Sequence, residues 1–411
     1  MSTLSPSQKV GRSRGSSISQ ALDQVPLNGY SAEGSSQVKP LSGAIKPRKV
    51  HVLPEIYLTR GLWNDVKTGR WMLVPSSSFQ MMMVPVVMFV NHEMLVQFGI
   101  IPRKVMNPFY YMLFPGDPLP NGKFTKQYTD LLFLAYWIIV ASFVRQSVMF
   151  KLLRPLAHNL GIKGGKIERF TEQGYAIFYW GLMSIFGVVG TLLILAERET
   201  DEAVTEHFWL EYPNKEVNLS VKMYYLVQFA YWLHQTILIA ARIEKPRKDF
   251  KELVVHHIVT LWLIGWSYVV YATYIGVAVF WTMDVSDTFF AFAKCVNYYD
   301  QAYSAFPFAV FVGVWTYTRH YLNLVILWSV WYEFELIPAK ERRGFIPSED
   351  QWMVGWMQYQ VFIPIFLLQL INLFWYFLIW RVLLRAIFSK SLSDERSDDE
   401  DEPEEKTEKI E

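Results

Sequence analysis

The chain has 411 residues, 52% hydrophobic and 17% aromatic yet 19% charged, with a formal net charge of +1. Charge kept outside long apolar runs describes a polytopic membrane protein with polar tails, and no basic surplus points to a nucleic-acid partner. The single cysteine, Cys295, excludes an internal disulfide and any cysteine-based metal cluster.

Residues 1 to about 50 are rich in Ser, Gly, Pro and Gln and are expected to be disordered. Within them Arg12 and Arg14 precede Ser16 and Ser17 at the spacing basophilic kinases prefer; an unmodified solvated tail is the alternative. Residues 51–70 place Tyr57, Leu62 and Trp63 among charges and read as an interfacial segment, so that 1–70 form a cytosolic N-terminal region. No cleavable signal peptide is expected, because the first long apolar run begins only after residue 70. Eight hydrophobic spans follow, near 71–90, 130–150, 172–195, 219–241, 253–272, 277–298, 305–330 and 356–382. The first is the weakest, broken by Pro75 and Pro85 and padded with Ser76 to Ser78. With its lumenal loop it makes up 71–128.

Loop charge orients the spans, since cytosolic loops carry the excess of Lys and Arg. The loop after the second span holds Lys151, Arg154, Lys163, Lys166 and Arg169 against Glu168 alone. The loop after the fourth holds Arg242, Lys245, Arg247, Lys248 and Lys251, while that after the third is acidic from Glu197 to Glu216. Spans two and four therefore end in the cytosol, and eight spans put both termini there. The sequon at Asn218 is lumenal but abuts the fourth span, too close to the membrane for glycosylation. Residues 389–411 form an acidic, disordered, cytosolic tail in which Ser391 and Ser397 each precede an acidic residue by three positions, as acidophilic kinases favour. Lys409 makes a degenerate dilysine retrieval signal.

The chemistry concentrates between His256 and Lys294, two apolar spans joined by a turn near Thr273 to Gly276. Adjacent His256 and His257 open the first; Asp284 and Asp287, three apart and so on one helical face, lie in the second. Ionisable groups inside membrane helices are costly and by default mark a pathway or a reaction site. Neighbouring residues on a helix point about 100° apart, so only one of the two histidines can face a given point. Depth along the helices puts Asp287 closer to the histidines than Asp284. A His–Asp pair there suits acyl transfer, the carboxylate fixing the imidazole tautomer while the ring acts as base or nucleophile. His234 and His320 have the plainer reading of hydrogen bonding between helices. Histidines and carboxylates also bind zinc or iron. Membrane di-iron enzymes, however, need several His-rich boxes, and of eight histidines only His256 and His257 cluster, so no metal is expected. The cations Arg154, Lys166, Arg169, Arg242, Lys245, Arg247 and Lys248 suit either anionic lipid headgroups or the phosphates of a coenzyme A thioester.

An ordered set of motifs runs through this region. It comprises Lys166-x-x-Arg169-Phe-x-Glu172-Gln173-Gly-Tyr175, Gln228-x-x-x-Trp232-x-x-Gln235 and Glu244-Lys-Pro-Arg-Lys-Asp249. His256-His257-Ile-Val-Thr260 and Asp284-Val-Ser-Asp287 follow, then Lys294 with Asn297-Tyr298, and Tyr317-x-Arg319-His320-x-x-Asn323. Over roughly residues 125–385 the chain resembles the TLC-domain family, specifically the fungal ceramide synthases.

The resemblance implies an all-α polytopic membrane helix bundle of about eight transmembrane helices, with a TLC core over 129–388 enclosing an intramembrane reaction cavity. It implies transfer of a long or very-long acyl chain from acyl-coenzyme A, a substrate rather than a cofactor, to the amine of a sphingoid base in the endoplasmic reticulum membrane. It carries over His256, His257, Asp284 and Asp287 as the catalytic set; the mechanism expected for them has His256 held by Asp287. Glu172, Gln173, Trp232, Gln235, Lys294, Asn297, Arg319 and His320 are expected to shape or order the pocket. Implied partners are membrane lipids, a small single-span accessory subunit and a second copy in a dimer. In the family the loop between the last two spans, here about 331–355, bears on chain length. Two rivals stand beside this reading. One is a non-enzymatic TLC-domain protein that binds lipid or assists the translocon. The other is a transporter, for which no inverted repeat is found.

Overall fold

The computed structural model describes residues 55–196, 204–241 and 249–389. Ser16, Ser17, Ser391, Ser397, Lys409 and the cations Arg242, Lys245, Arg247 and Lys248 lie outside the described residues.

Eight rods make up the described fold. They are α1 (Pro75–Gln97), α2 (Asp130–Asn159), α3 (Lys166–Ala196), α4 (Leu219–Ala240), α5 (Phe250–Val269) and α6 (Thr273–Tyr299). α7 joins Ala305–Trp315, a π-helical stretch Thr316–Leu322 and Asn323–Tyr332; α8 is Met357–Ser389. A second π stretch, Val148–Leu153, lies within α2. Outside the rods the described residues hold only short helical turns and two isolated bridges, Phe124 with Val217 and Ile346 with Gln351, so the protein is an all-α, multi-pass membrane bundle.

Six of the rods are long and apolar enough to cross a membrane by composition alone; α4 and α7 are not among them. Lys222, Gln228, His234 and Gln235 lower the mean hydropathy of α4, and the π stretch divides α7 into pieces. Both nevertheless pack inside the bundle, α4 against α2 and α5, α7 against α6 and α8. Pro75 occupies the first turn of α1, where its missing N–H costs nothing, so the weakest predicted span is a 23-residue helix. α3 shows how the outside is built: Phe178, Leu182, Ile185, Val189 and Leu192 recur at helical spacing and are all exposed, the band of side chains that meets lipid.

We call the end carrying Lys151, Arg154 and Lys166 the basic end. α2, α4, α6 and α8 run towards it; α3, α5 and α7 run away from it. α5 and α6 are joined in three residues at the opposite end, with Tyr271 at φ +61°, a left-handed conformation that tightens the turn. Lys126 sits 3.9 Å over the Tyr271 ring and donates to the Val269 carbonyl at 2.6 Å. Nearby, Lys222 of α4 and Asp130 of α2 pair at 2.8 Å while only 1% and 3% exposed. Tyr268 of α5 donates to the same carboxylate at 2.7 Å, so one buried charge ties three helices together.

At the basic end, residues 55–72 lie along the start of α1. Ile56, Leu58, Leu62 and Trp63 are exposed, as an interfacial segment requires, and Asp65 staples it to the bundle by accepting from Ser77 at 2.6 Å and Thr59 at 2.7 Å. Burial alone would raise the Asp65 pKa. The hydrogen bonds from Ser77, Thr59 and the Arg60 amide, with the Arg70 charge, outweigh it and hold the carboxyl below the usual carboxylate range. A depressed pKa contributes stability at neutral pH that is lost as pH falls through the lowered value. Trp63 emission in detergent is therefore expected to hold steady below the ordinary carboxylate range before shifting, and to be shifted already at neutral pH in Asp65→Ala. An unchanged Asp65→Ala spectrum would remove the staple from this account.

Candidate active site

Tyr179 of α3 and Tyr231 of α4 stack with centroids 3.6 Å apart at the centre of an aromatic core that α2, α3, α4 and α6 share. Against that wall, α5 and α6 diverge around a cavity that α4, α7 and α8 close, enclosing about 800 Å³ counting its open mouth. Trp232, His256, Asp284, Asp287 and Arg319 line one part of it, while Val270, Ala272 and Ile275, all buried, line the other. Between them the wall is apolar, except for Thr260, Ser267, Tyr225 and Gln360.

The two histidines do divide as adjacent helical residues must. His256 lines the cavity, its ring edge-on to Trp232 at 5.3 Å and to Trp375 of α8 at 5.1 Å. Its Nδ1 is buried and has no hydrogen-bond partner among the described residues. His257 turns away: Nδ1 lies 2.8 Å from the Leu253 carbonyl and donates to it, which fixes that ring's tautomer. The two imidazoles are 5.7 Å apart and at 89° to one another.

Both aspartates reach the cavity, but they meet different company. Asp284, 1% exposed, accepts from the Gln228 amide and, at 3.3 Å, from the Tyr224 hydroxyl; Gln228 in turn accepts from Tyr179 at 2.9 Å. Asp287, with 23% of its side chain exposed, pairs with Arg319 at 2.6 Å. The expected hydrogen bond between Asp287 and His256 is not formed among the described residues. Arg319, carried on the π stretch of α7, takes the carboxylate instead through a charge-assisted contact.

The remaining expected pocket residues scatter. Trp232 packs edge-on against both histidines, 5.3 Å from each ring, so that the three rings form a triangle. Gln235, half-buried, bonds Tyr231. On α3, Glu172 is exposed and Gln173 half-buried, and neither lines the cavity. Lys294 lies over Phe290 at 4.8 Å, away from the cavity, and Asn297 is half-buried on the same helix, its Oδ1 without a hydrogen-bond partner among the described residues. His320 faces α8 and accepts at Nδ1 from Gln369 at 2.7 Å, behind Arg319. Of the expected phosphate-binding cations, Arg154 and Arg169 are half-buried and Lys166 is exposed, all at the basic end.

Several residues that build the site were not singled out beforehand: Tyr224, Ser286, Asn372 and Trp375, together with Arg145, buried on α2 in the aromatic layer of Tyr175 and Tyr231. Arg145 was findable, as a charge at membrane depth in the second span. The uncharged ones carry no such signal.

Comparison with known proteins agrees with this architecture. A TLC-domain model matches residues 169–381. The chain is 37% identical to the sphingosine N-acyltransferase lac1 of Schizosaccharomyces pombe, over 71% of this chain and 75% of that one. It is 39% identical to the ceramide synthase LAG1 of Saccharomyces cerevisiae, over 71% and 70%. A more distant relative is the ASC1-like protein 3 of rice, 25% identical over 59% of this chain and 81% of that one. The chain belongs to the TLC-domain family and is an acyltransferase.

Proposed function

We propose that the protein is a ceramide synthase, moving a long acyl chain from acyl-coenzyme A to the amine of a sphingoid base. It works in the endoplasmic reticulum membrane with both termini in the cytosol. The observation that carries this reading is the chamber: one buried imidazole, two carboxylates and a guanidinium at one part, with an apolar extension beyond. Val270 lies fourteen residues past His256, about 21 Å along α5 at the helical rise, a length suited to a fatty chain. Anionic coenzyme A stays at the basic end, where Arg154, Lys166 and Arg169 sit, and the chain runs inward.

His256 is the group for the chemical step. Buried between two indoles, with no carboxylate touching it among the described residues, its ring faces the cavity as the group placed to accept a proton or an acyl group. A long-chain amine is mostly protonated near neutral pH and must lose a proton before its nitrogen attacks the thioester carbonyl. That first proton passes to water; the C–N bond then forms, the imidazole takes the nitrogen's second proton, and as the C–S bond breaks it hands that proton to the departing thiolate, leaving the amide and free coenzyme A thiol. In the two-step variant His256 Nε2 first takes the acyl group and the amine discharges it.

Mass spectrometry of purified protein incubated with long-chain acyl-coenzyme A and no amine separates these routes. An acyl adduct on His256 that discharges onto added dihydrosphingosine supports two steps. Amide without adduct supports direct transfer with His256 as base. Neither adduct nor amide defeats the reading and brings the lipid-binding alternative forward.

A further inference from the structure

Arg319 is held far more elaborately than a counter-ion needs. Its Nε donates to Ser286 Oγ at 2.6 Å, Nη1 to Asn372 Oδ1 at 3.0 Å and Nη2 to the Met283 carbonyl at 3.2 Å. The Trp315 ring lies 4.2 Å beneath the guanidinium carbon. Ser286 itself donates to the Met283 carbonyl at 2.7 Å, and Asn372 rests its amide on the Met283 sulfur at 3.8 Å. Ser286 and Asn372 are fully buried, so the bracket joins α6, α7 and α8 with no outlet to solvent. An ion pair alone would have been satisfied by Asp287.

The consequence falls on Asp287. Its Oδ1 is pinned to Nη2 at 2.6 Å, while Oδ2 has no partner among the described residues and the side chain lines the cavity. A planar guanidinium fixed at three other points sets the plane of the carboxylate it grips, and therefore the direction of the oxygen left over. Asp284, by contrast, spends an oxygen on two neutral donors and is 1% exposed.

We propose that Ser286 and Asn372 are positioning residues which clamp Arg319 so that Asp287 presents its free oxygen to the amine of the acyl acceptor. The two aspartates thus differ in role: Asp287 receives the cationic or N–H-donating end of the acceptor, and Asp284 belongs to the Gln228–Tyr179 network behind it. The assignment of the acceptor as a long-chain amine rests on the ceramide synthase reading.

The test is steady-state kinetics of Ser286→Ala and Asn372→Leu in nanodiscs, varying dihydrosphingosine and acyl-coenzyme A separately. Each lost hydrogen bond to a charged group is expected to raise KM for the amine about tenfold to a hundredfold, leaving KM for the thioester within twofold or so of wild type. Arg319→Lys keeps the charge but cannot span the same acceptors, and is expected to lose amine affinity as Ser286→Ala does. Equal losses for both substrates, in step with a lowered melting temperature, would show a purely structural bracket and overturn the proposal. So would wild-type kinetics in Arg319→Lys or in both neutral variants. Wild-type protein that makes no amide defeats the functional reading instead. In that case dihydrosphingosine protection against thermal unfolding, present in wild type and lost in Ser286→Ala, still decides whether the bracket orients an amine site; equal protection in both would overturn it.

Discussion

Replacing His256 by alanine is expected to lower the rate of amide formation by about 10²- to 10⁴-fold, the range that a positioned acid–base group contributes, and by more if the ring carries the acyl group. The fold should survive, because no hydrogen bond depends on the His256 Nδ1 and its neighbours Trp232 and Trp375 are anchored on other helices. Product formation per folded protein, with melting temperature as the control, measures it. Activity within tenfold of wild type would take His256 out of the chemical step. His257→Ala probes a different contact. Its ring is tied to the Leu253 carbonyl one turn back and packs on both Trp232 and His256, so its loss acts by loosening the rings that hold His256 in place. The comparison of the two variants is informative because the sequence presents them as equals and the cavity does not.

The bundle was largely legible in the chain. A run of apolar residues long enough for a bilayer must be helical to satisfy its own backbone; each of the eight expected spans falls on one of α1 to α8, with ends moved by up to nine residues, and six of those rods are long and apolar enough to cross. Pro75 looked like a break and is a helix start; Ser77 looked like padding and holds Asp65. Within the site, His256, Asp284, Asp287 and Arg319 were legible because buried charge stands out in an apolar span. Their pairing was not. Spacing along α6 shows that both aspartates share a face, but which cation or amide each meets depends on α4, α7 and α8, hundreds of atoms away in the chain. The π stretch of α7 is the clearest case: no local propensity announces it, yet it carries the Arg319 that pairs with Asp287. Asn372 and Ser286 were invisible for the same reason. A small polar residue at helical spacing in a membrane span reads as packing until its partner is known.

The largest stability effect is expected far from the cavity's charged end. Asp130→Ala strands the Lys222 ammonium, 1% exposed, with one neutral acceptor, the Thr125 carbonyl at 2.6 Å. Breaking a buried pair from one side costs about 3–5 kcal/mol, because the surviving charge keeps its desolvation penalty and loses its compensation. Lys222→Met should cost less, since Asp130 retains the Tyr268 hydroxyl at 2.7 Å and the Gln127 amide at 2.8 Å. Removing both charges in Asp130→Leu with Lys222→Met should recover much of the loss, as replacing a buried pair by apolar residues is often near neutral. Melting temperatures of the two single variants and the double variant in one detergent form the cycle. Strictly additive losses would mean that the two side chains act independently. The expected non-additivity would make this pair, together with Tyr268, the device that locks α2, α4 and α5 at the end where the apolar part of the cavity closes. Loosening it should then let the Val270 end breathe, so the single variants are expected to blur acyl-chain selectivity at temperatures where they remain folded.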